Sequence, residues 1–111
     1  INSELYTPLD TRSIELDFIN SNSEEGLVLY QNMPNPWSDF TIVKYFMGQE
    51  GPVKFSIYDI NGALVYQQQK NADAGINFFE LDKAEINASG LMYYELTTSS
   101  ERIIKKMILI D

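Results

Sequence analysis

The chain has 111 residues, room for one domain and too little for two ordinary ones. Apolar residues make up 44% and charged residues 22%, a globular balance that excludes wholesale disorder; the net charge of −8 would repel nucleic acid and anionic lipid, so neither is an expected partner. Cysteine and histidine are both absent, which removes thiol nucleophiles, Cys/His zinc sites, the Ser–His–Asp triad and any disulfide framework.

In chain order, residues 1–26 hold six acids against one base, Arg12. The chain starts at Ile1 with neither an initiator Met nor a signal-peptide pattern, and it is expected to be a piece of something longer. Ile14-Glu15-Leu16-Asp17-Phe18 alternates apolar with acidic residues, the period of one half-buried strand. Residues 1–19 are therefore expected to be the end of an upstream region or an extra strand. Asn20, Ser21, Asn22, Ser23, Glu24, Glu25 and Gly26 carry no apolar side chain. Burial there cannot offset the ordering entropy, so residues 20–26 read as a flexible acidic linker.

Residues 27–111 read as β throughout. Leu27–Tyr30 is a short apolar strand closed by Met33-Pro34-Asn35-Pro36-Trp37. Thr41–Met47 follows, with Thr41, Val43, Tyr45 and Met47 on one face; then Pro52–Ile60, with Val53, Phe55 and Ile57 on one face. Asn61-Gly62 between this run and Ala63–Tyr66 predicts a type I′ hairpin. Further strands are expected at Ile76–Leu81, at Leu91–Thr97 with Met92, Tyr94 and Leu96 sharing a face, and at Arg102–Ile110. Asp82–Ala88 is too short for more than a helical turn. Seven strands with turn signals about every ten residues give an Ig-like antiparallel β-sandwich. No apolar run approaches the roughly 18–20 residues of a membrane-spanning helix. Ile42 and Phe46 oppose Val43 and Tyr45, and Ile104, Ile108 and Ile110 oppose Ile103, Met107 and Leu109. Apolar groups on both faces point either to a contact surface or to scattered surface hydrophobes.

The chemistry-bearing patterns are weak. Asp59-Ile60-Asn61-Gly62 opens like a calcium loop but lacks the later ligands and the distal Glu. Asn87-Ala88-Ser89 is a glycosylation sequon. Lys44 and Tyr58 sit on expected strands with no nucleophile or oxyanion loop nearby in sequence. No catalysis, metal or cofactor is expected.

Two features stand out. In Gln31-Asn32-Met33-Pro34-Asn35-Pro36-Trp37 the prolines fix φ and push Met33 and Asn35 towards extended backbone, predicting a stiff, polyproline-like rod anchored by Trp37, which serves equally as a structural corner or as a rigid recognition epitope. At the end of the chain, Arg102, Lys105 and Lys106 place three of the eight basic residues in the last ten positions. Such a strand is either a lysine-protected edge or a basic tag read by a partner.

These features, with Val53-x-Phe55-x-Ile57-Tyr58-Asp59-Ile60-x-Gly62-x-x-Val65, Ala74-Gly75, Ser89-Gly90-x-x-Tyr93-Tyr94-x-Leu96 and Lys105-Lys106-Met107-Ile108-Leu109-Ile110, resemble the type A C-terminal sorting domain of type IX secretion cargo across residues 27–111. Ala63 stands where the family commonly has Arg, Trp37 where it has Phe, and Asn77 where His is frequent. The resemblance implies an Ig-like sandwich that performs no chemistry. It implies a signal that directs its parent from the periplasm through the outer-membrane translocon of a Gram-negative bacterium to the cell surface or beyond. The implied partners are that translocon with its shuttle protein, and a sortase-like peptidase, with no direct membrane insertion. Carried over by position, Pro34, Asn35, Pro36, Trp37, Gly62, Gly90, Lys105 and Lys106 are the recognition elements, with cleavage between Asn20 and Gly26. The competing expectation is an Ig-like adhesion or carbohydrate-binding module of a surface protein.

Overall fold

The computed structural model describes residues 26–111. The expected strand at 14–18, and the 20–25 part of the linker, lie outside the described residues.

Seven strands form, in chain order β1 (Val28–Leu29), β2 (Phe40–Met47), β3 (Gly51–Tyr58), β4 (Leu64–Ala72), β5 (Gly75–Asp82), β6 (Gly90–Thr97) and β7 (Arg102–Leu109). One 3-10 turn, Lys83–Glu85, sits between β5 and β6. Asp82 caps this turn through a capping box with Glu85, which explains why the short polar stretch curls and goes no further.

The strands build two antiparallel sheets, β1-β2-β5 and β4-β3-β6-β7. The β2–β3, β4–β5 and β5–β6 connections each cross from one sheet to the other, giving the Ig-like sandwich that alternation predicts. Alternation also selects the core: Val43, Tyr45, Phe55, Ile57, Phe79, Met92, Tyr94, Leu96 and Met107 are all buried between the sheets. Phe79 of β5 stacks on Tyr45 at 5.0 Å and on Phe55 of the opposite sheet at 4.6 Å. This aromatic column ties the layers together.

β4 extends well past the expected Ala63–Tyr66, through Gln67-Gln68-Gln69-Lys70-Asn71 to Ala72. It is the outermost strand of its sheet, so its outward residues face water and no apolar period betrays it. Pairing with β3 makes it a strand. The β3–β4 turn also corrects the type I′ expectation. Gly62 N–H donates to the Asp59 carbonyl at 3.0 Å, putting Ile60 and Asn61 at the centre of the turn. Gly62 follows in the left-handed region at φ 85°, a three-residue loop closed by a left-handed glycine. The Asp59 carboxylate sets this register by accepting from Asn61 and Ala63 N–H, both at 2.9 Å. That carboxylate, the first residue of the calcium-like motif, is thus spent on the turn.

Candidate functional site

The proline segment is not an extended rod. The Met33–Pro34 and Asn35–Pro36 peptide bonds are cis and residues 34–36 form a bend. Its task explains the shape. The chain pairs with β2 through Val28, Leu29 and Met33, and directly after the bend Trp37 bridges in parallel to Leu109 of the other sheet. The segment therefore carries the chain across the sandwich, between layers about 10 Å apart.

The corner and the end of the chain are one unit. Trp37 N–H donates to the Ile108 carbonyl at 2.9 Å, and Ile110 N–H donates to the Trp37 carbonyl at 2.8 Å. The Asn35 side-chain oxygen accepts from Ile108 N–H at 2.9 Å, and Gln31 Nε2 donates to the Lys106 carbonyl at 2.7 Å. The side of β7 turned away from β6 is thereby paired from Lys106 to Ile110, which blocks that stretch to any further strand. A buried polar network braces the corner from inside. Asn32 is fully buried; its N–H donates to Tyr94 Oη at 3.0 Å, and its Nδ2 reaches Thr41 Oγ1 and the Pro34 carbonyl, each at 3.1 Å. Thr41 Oγ1 donates to the same carbonyl at 2.8 Å, and Tyr94 Oη donates to the Tyr30 carbonyl at 2.9 Å. Burial pushes the Tyr94 phenol up to about 12, partly opposed by the Asn32 N–H; burial, aided by the Asp73 charge, does the same to Tyr45. Both phenols stay protonated across the physiological range.

The expected recognition residues divide by position. Pro34, Asn35 and Pro36 are exposed on the corner, whereas Trp37 is buried and anchors it from within. Register puts the corner, Gly90 opposite Leu109, and the Gly62 turn beyond Tyr58 at the same end of the sandwich. Gly90, at φ 88°, starts β6 in a conformation that costs an L side chain roughly 1–2 kcal/mol. Lys105 and Lys106 part company, as a period of two demands. Lys105 shares the inward face with Met107 and Leu109 and is half-buried, while Lys106 points outward and is exposed. Asn32, Thr41, Tyr94 and Gln31 were not singled out from sequence. Gln31 and Asn32 directly precede Met33-Pro34, and that proximity is the one sequence signal that could have found them.

The opposite end is built differently. Leu27 N–H donates to Glu101 Oε1 at 2.9 Å at an exposed position. A side chain at Gly26 would run into the same carboxylate. An open groove lined by Gly26, Leu27, the β2–β3 turn and the β6–β7 turn lies there. Of the expected cleavage stretch, Gly26 alone falls within the described residues. Among the described residues, no group of three or more acidic side chains could hold a metal ion, and no helix is long and apolar enough to cross a membrane.

A family model described as secretion system C-terminal sorting domain matches residues 32–110. Among solved structures, dimeric latent PorU from Porphyromonas gingivalis is similar over 85% of this chain, at 18% identity and a TM-score of 0.63. The chain spans 10% of that PorU chain, and at this identity the likeness shows the fold. A β-glucosidase from Listeria innocua in complex with glucose matches 99% of this chain and 20% of its own, at 13% identity and a TM-score of 0.48. No curated protein matches the chain significantly.

Proposed function

The chain belongs to the family of type IX secretion C-terminal sorting domains, and on that premise we propose that its corner and terminal strand are read together by the export machinery. Family membership makes the chain a sorting signal for export to the cell surface or the extracellular space, a kind of domain that is typically non-catalytic. The finer reading has three parts. Pro34, Asn35 and Pro36, with exposed Lys106, form a composite epitope for the outer-membrane translocon and its shuttle protein. Trp37, Gly62, Gly90 and half-buried Lys105 hold that end of the sandwich in shape. A sortase-like peptidase cuts between Asn20 and Gly26, after which the parent is attached to the surface. Residues 27–111 act as the sorting domain proper, and residues 1–19 belong to the upstream region.

One observation carries this reading: the four hydrogen bonds that tie residues 31–37 to residues 106–110. They hold two segments about 70 residues apart in sequence in a fixed mutual geometry, so a partner pays little ordering entropy on binding. The exposed aromatic side chains do not favour the carbohydrate-module alternative. Phe40 and Phe78 carry no hydrogen-bonding group and exposed Tyr30 has the Lys44 ammonium 4.6 Å from its ring centre, while Tyr45 and Tyr94 are buried.

The full chain fused to a periplasmic reporter tests the reading, with surface protease accessibility as the readout. Wild type should reach the surface. Deleting residues 105–111, which removes Lys106 and the corner's partners, should leave the reporter in the periplasm. Surface delivery of the truncated fusion at the wild-type level would refute it.

A further inference from the structure

The entrance to β1 is built around one carboxylate. Glu101 ends the β6–β7 turn, and that turn is tied down locally. Thr98 N–H donates to the Glu101 carbonyl at 2.9 Å, and Thr98 Oγ1 accepts from Ser100 N–H at 3.2 Å and from Glu101 N–H at 3.0 Å. From this fixed backbone the Glu101 side chain reaches the incoming chain. Its Oε1 accepts from Leu27 N–H at 2.9 Å, and its Oε2 lies where a Cβ on Gly26 would stand. The Leu27 side chain packs against the core, so the backbone here is held from two sides. The Gly26 nitrogen is one bond, about 1.5 Å, from the Cα that the carboxylate faces. Glu50 is the other ionisable side chain lining this groove, and Arg102, next in sequence, is turned to Glu95 at 2.8 Å. Both charges in the groove are therefore negative.

We propose that Glu101 is the binding site for the amino terminus that cleavage of the Glu25–Gly26 bond creates. The inference rests on the cleavage reading above and narrows it from residues 20–26 to one bond. Water or an acceptor amine attacks the Glu25 carbonyl carbon, which leaves with the upstream part. The Gly26 nitrogen takes a proton and stays with this chain as an ammonium beside Glu101. A carboxylate holds an ammonium more strongly than it holds a neutral amide N–H. Two features select this bond. Glu24 and Glu25 directly precede Gly26, so the cut exchanges two like charges near Glu101 for one opposite charge. Glycine is also the residue that leaves the carboxylate in place, since any side chain at 26 would displace it. A cut nearer Asn20 would leave both glutamates on the domain and carry its ammonium away from the groove. The ion pair thus keeps the first strand seated once the tether is gone.

A glutamate-specific protease tests this on the full chain, whose own sequence offers the Glu25–Gly26 bond. The product starting at Gly26 is confirmed by mass, and its Gly26 Cα protons are followed by NMR through a pH titration. The ammonium should titrate about 0.5 above the ordinary 7.7–8.0 of an α-amino group, a roughly threefold tighter hold on its proton. Glu101→Gln keeps an acceptor for Leu27 N–H and removes the charge, and should return the value to the ordinary range. Gly26→Ala forces the carboxylate aside and should do the same, which serves if the Gln variant is digested further. A Gly26 ammonium that titrates in the ordinary range, or equally in the parent and both variants, would overturn the proposal. So would resistance of the Glu25–Gly26 bond in the folded chain while Glu4 and Glu15 are cut. The reporter fusion reports on the cleavage reading separately. Domain released by exporting cells should start at Gly26; another start would overturn the choice of bond, and no release would overturn the cleavage reading itself.

Discussion

The two ends of the sandwich are stabilised by different means. At the corner end, Gln31, buried Asn32, Asn35, Trp37 and the Tyr94 hydroxyl fix the backbone through contacts between residues 62–75 positions apart. At the other end, about 26 Å away along an eight-residue strand, the Leu27 N–H is held by one exposed carboxylate while its side chain is only partly buried against the core. Buried, mutually satisfied polar groups are costly to break, whereas an exposed hydrogen bond exchanges readily with water. The corner is thus braced by many distant contacts, and the entry to β1 by fewer.

Trp37→Ala is the harshest way to break that contrast. It removes the largest side chain of the corner from the core and should cost roughly 3–5 kcal/mol, read as a lowered urea midpoint, with surface delivery lost alongside. Alkaline pH comes next. The Tyr94 and Tyr45 phenols titrate near 10 when unfolded and at about 12 when folded, so the native state binds more protons between those values. Stability should therefore be level below pH 10 and fall as pH rises towards 12, by roughly 2–3 kcal/mol per tyrosine. Tyr94→Phe should cost about 1–2 kcal/mol at neutral pH and flatten part of that fall, whereas an unchanged alkaline profile would show that Tyr94 does not titrate as placed. Asn35→Ala removes one acceptor at an exposed site and should cost about 1 kcal/mol; hydrogen exchange at Ile108 should accelerate while that of Met92 does not. Glu101→Gln is the mildest. It should change global stability by less than about 0.5 kcal/mol, yet speed proteolysis near residue 26, and equal protease rates would show that the two ends do not differ as described.

Much of the architecture is readable from side-chain spacing. A period of two put Val43 and Tyr45, Phe55 and Ile57, and Met92 and Leu96 on shared faces, and those faces are the buried ones. β4 was not readable past Tyr66, because a water-facing outermost strand leaves no apolar trace and its partner alone defines it. The Asn61-Gly62 turn was placed correctly and typed wrongly, because Asp59 captured two N–H groups and shifted the loop by one residue. The opposite facings of Lys105 and Lys106 follow from strand period and needed no coordinates.

Local pattern thus determined that residues 27–111 make a seven-stranded sandwich, which residues share a face, and where the chain turns, because alternation and turn chemistry act between near neighbours. Tertiary structure alone decided that the proline segment bends between the sheets, that Asn35 and Trp37 bond to the last strand, and that Phe40, Ile76 and Phe78 stay exposed on one outer face. Those facts depend on which distant segments meet, and no window of the sequence contains both partners.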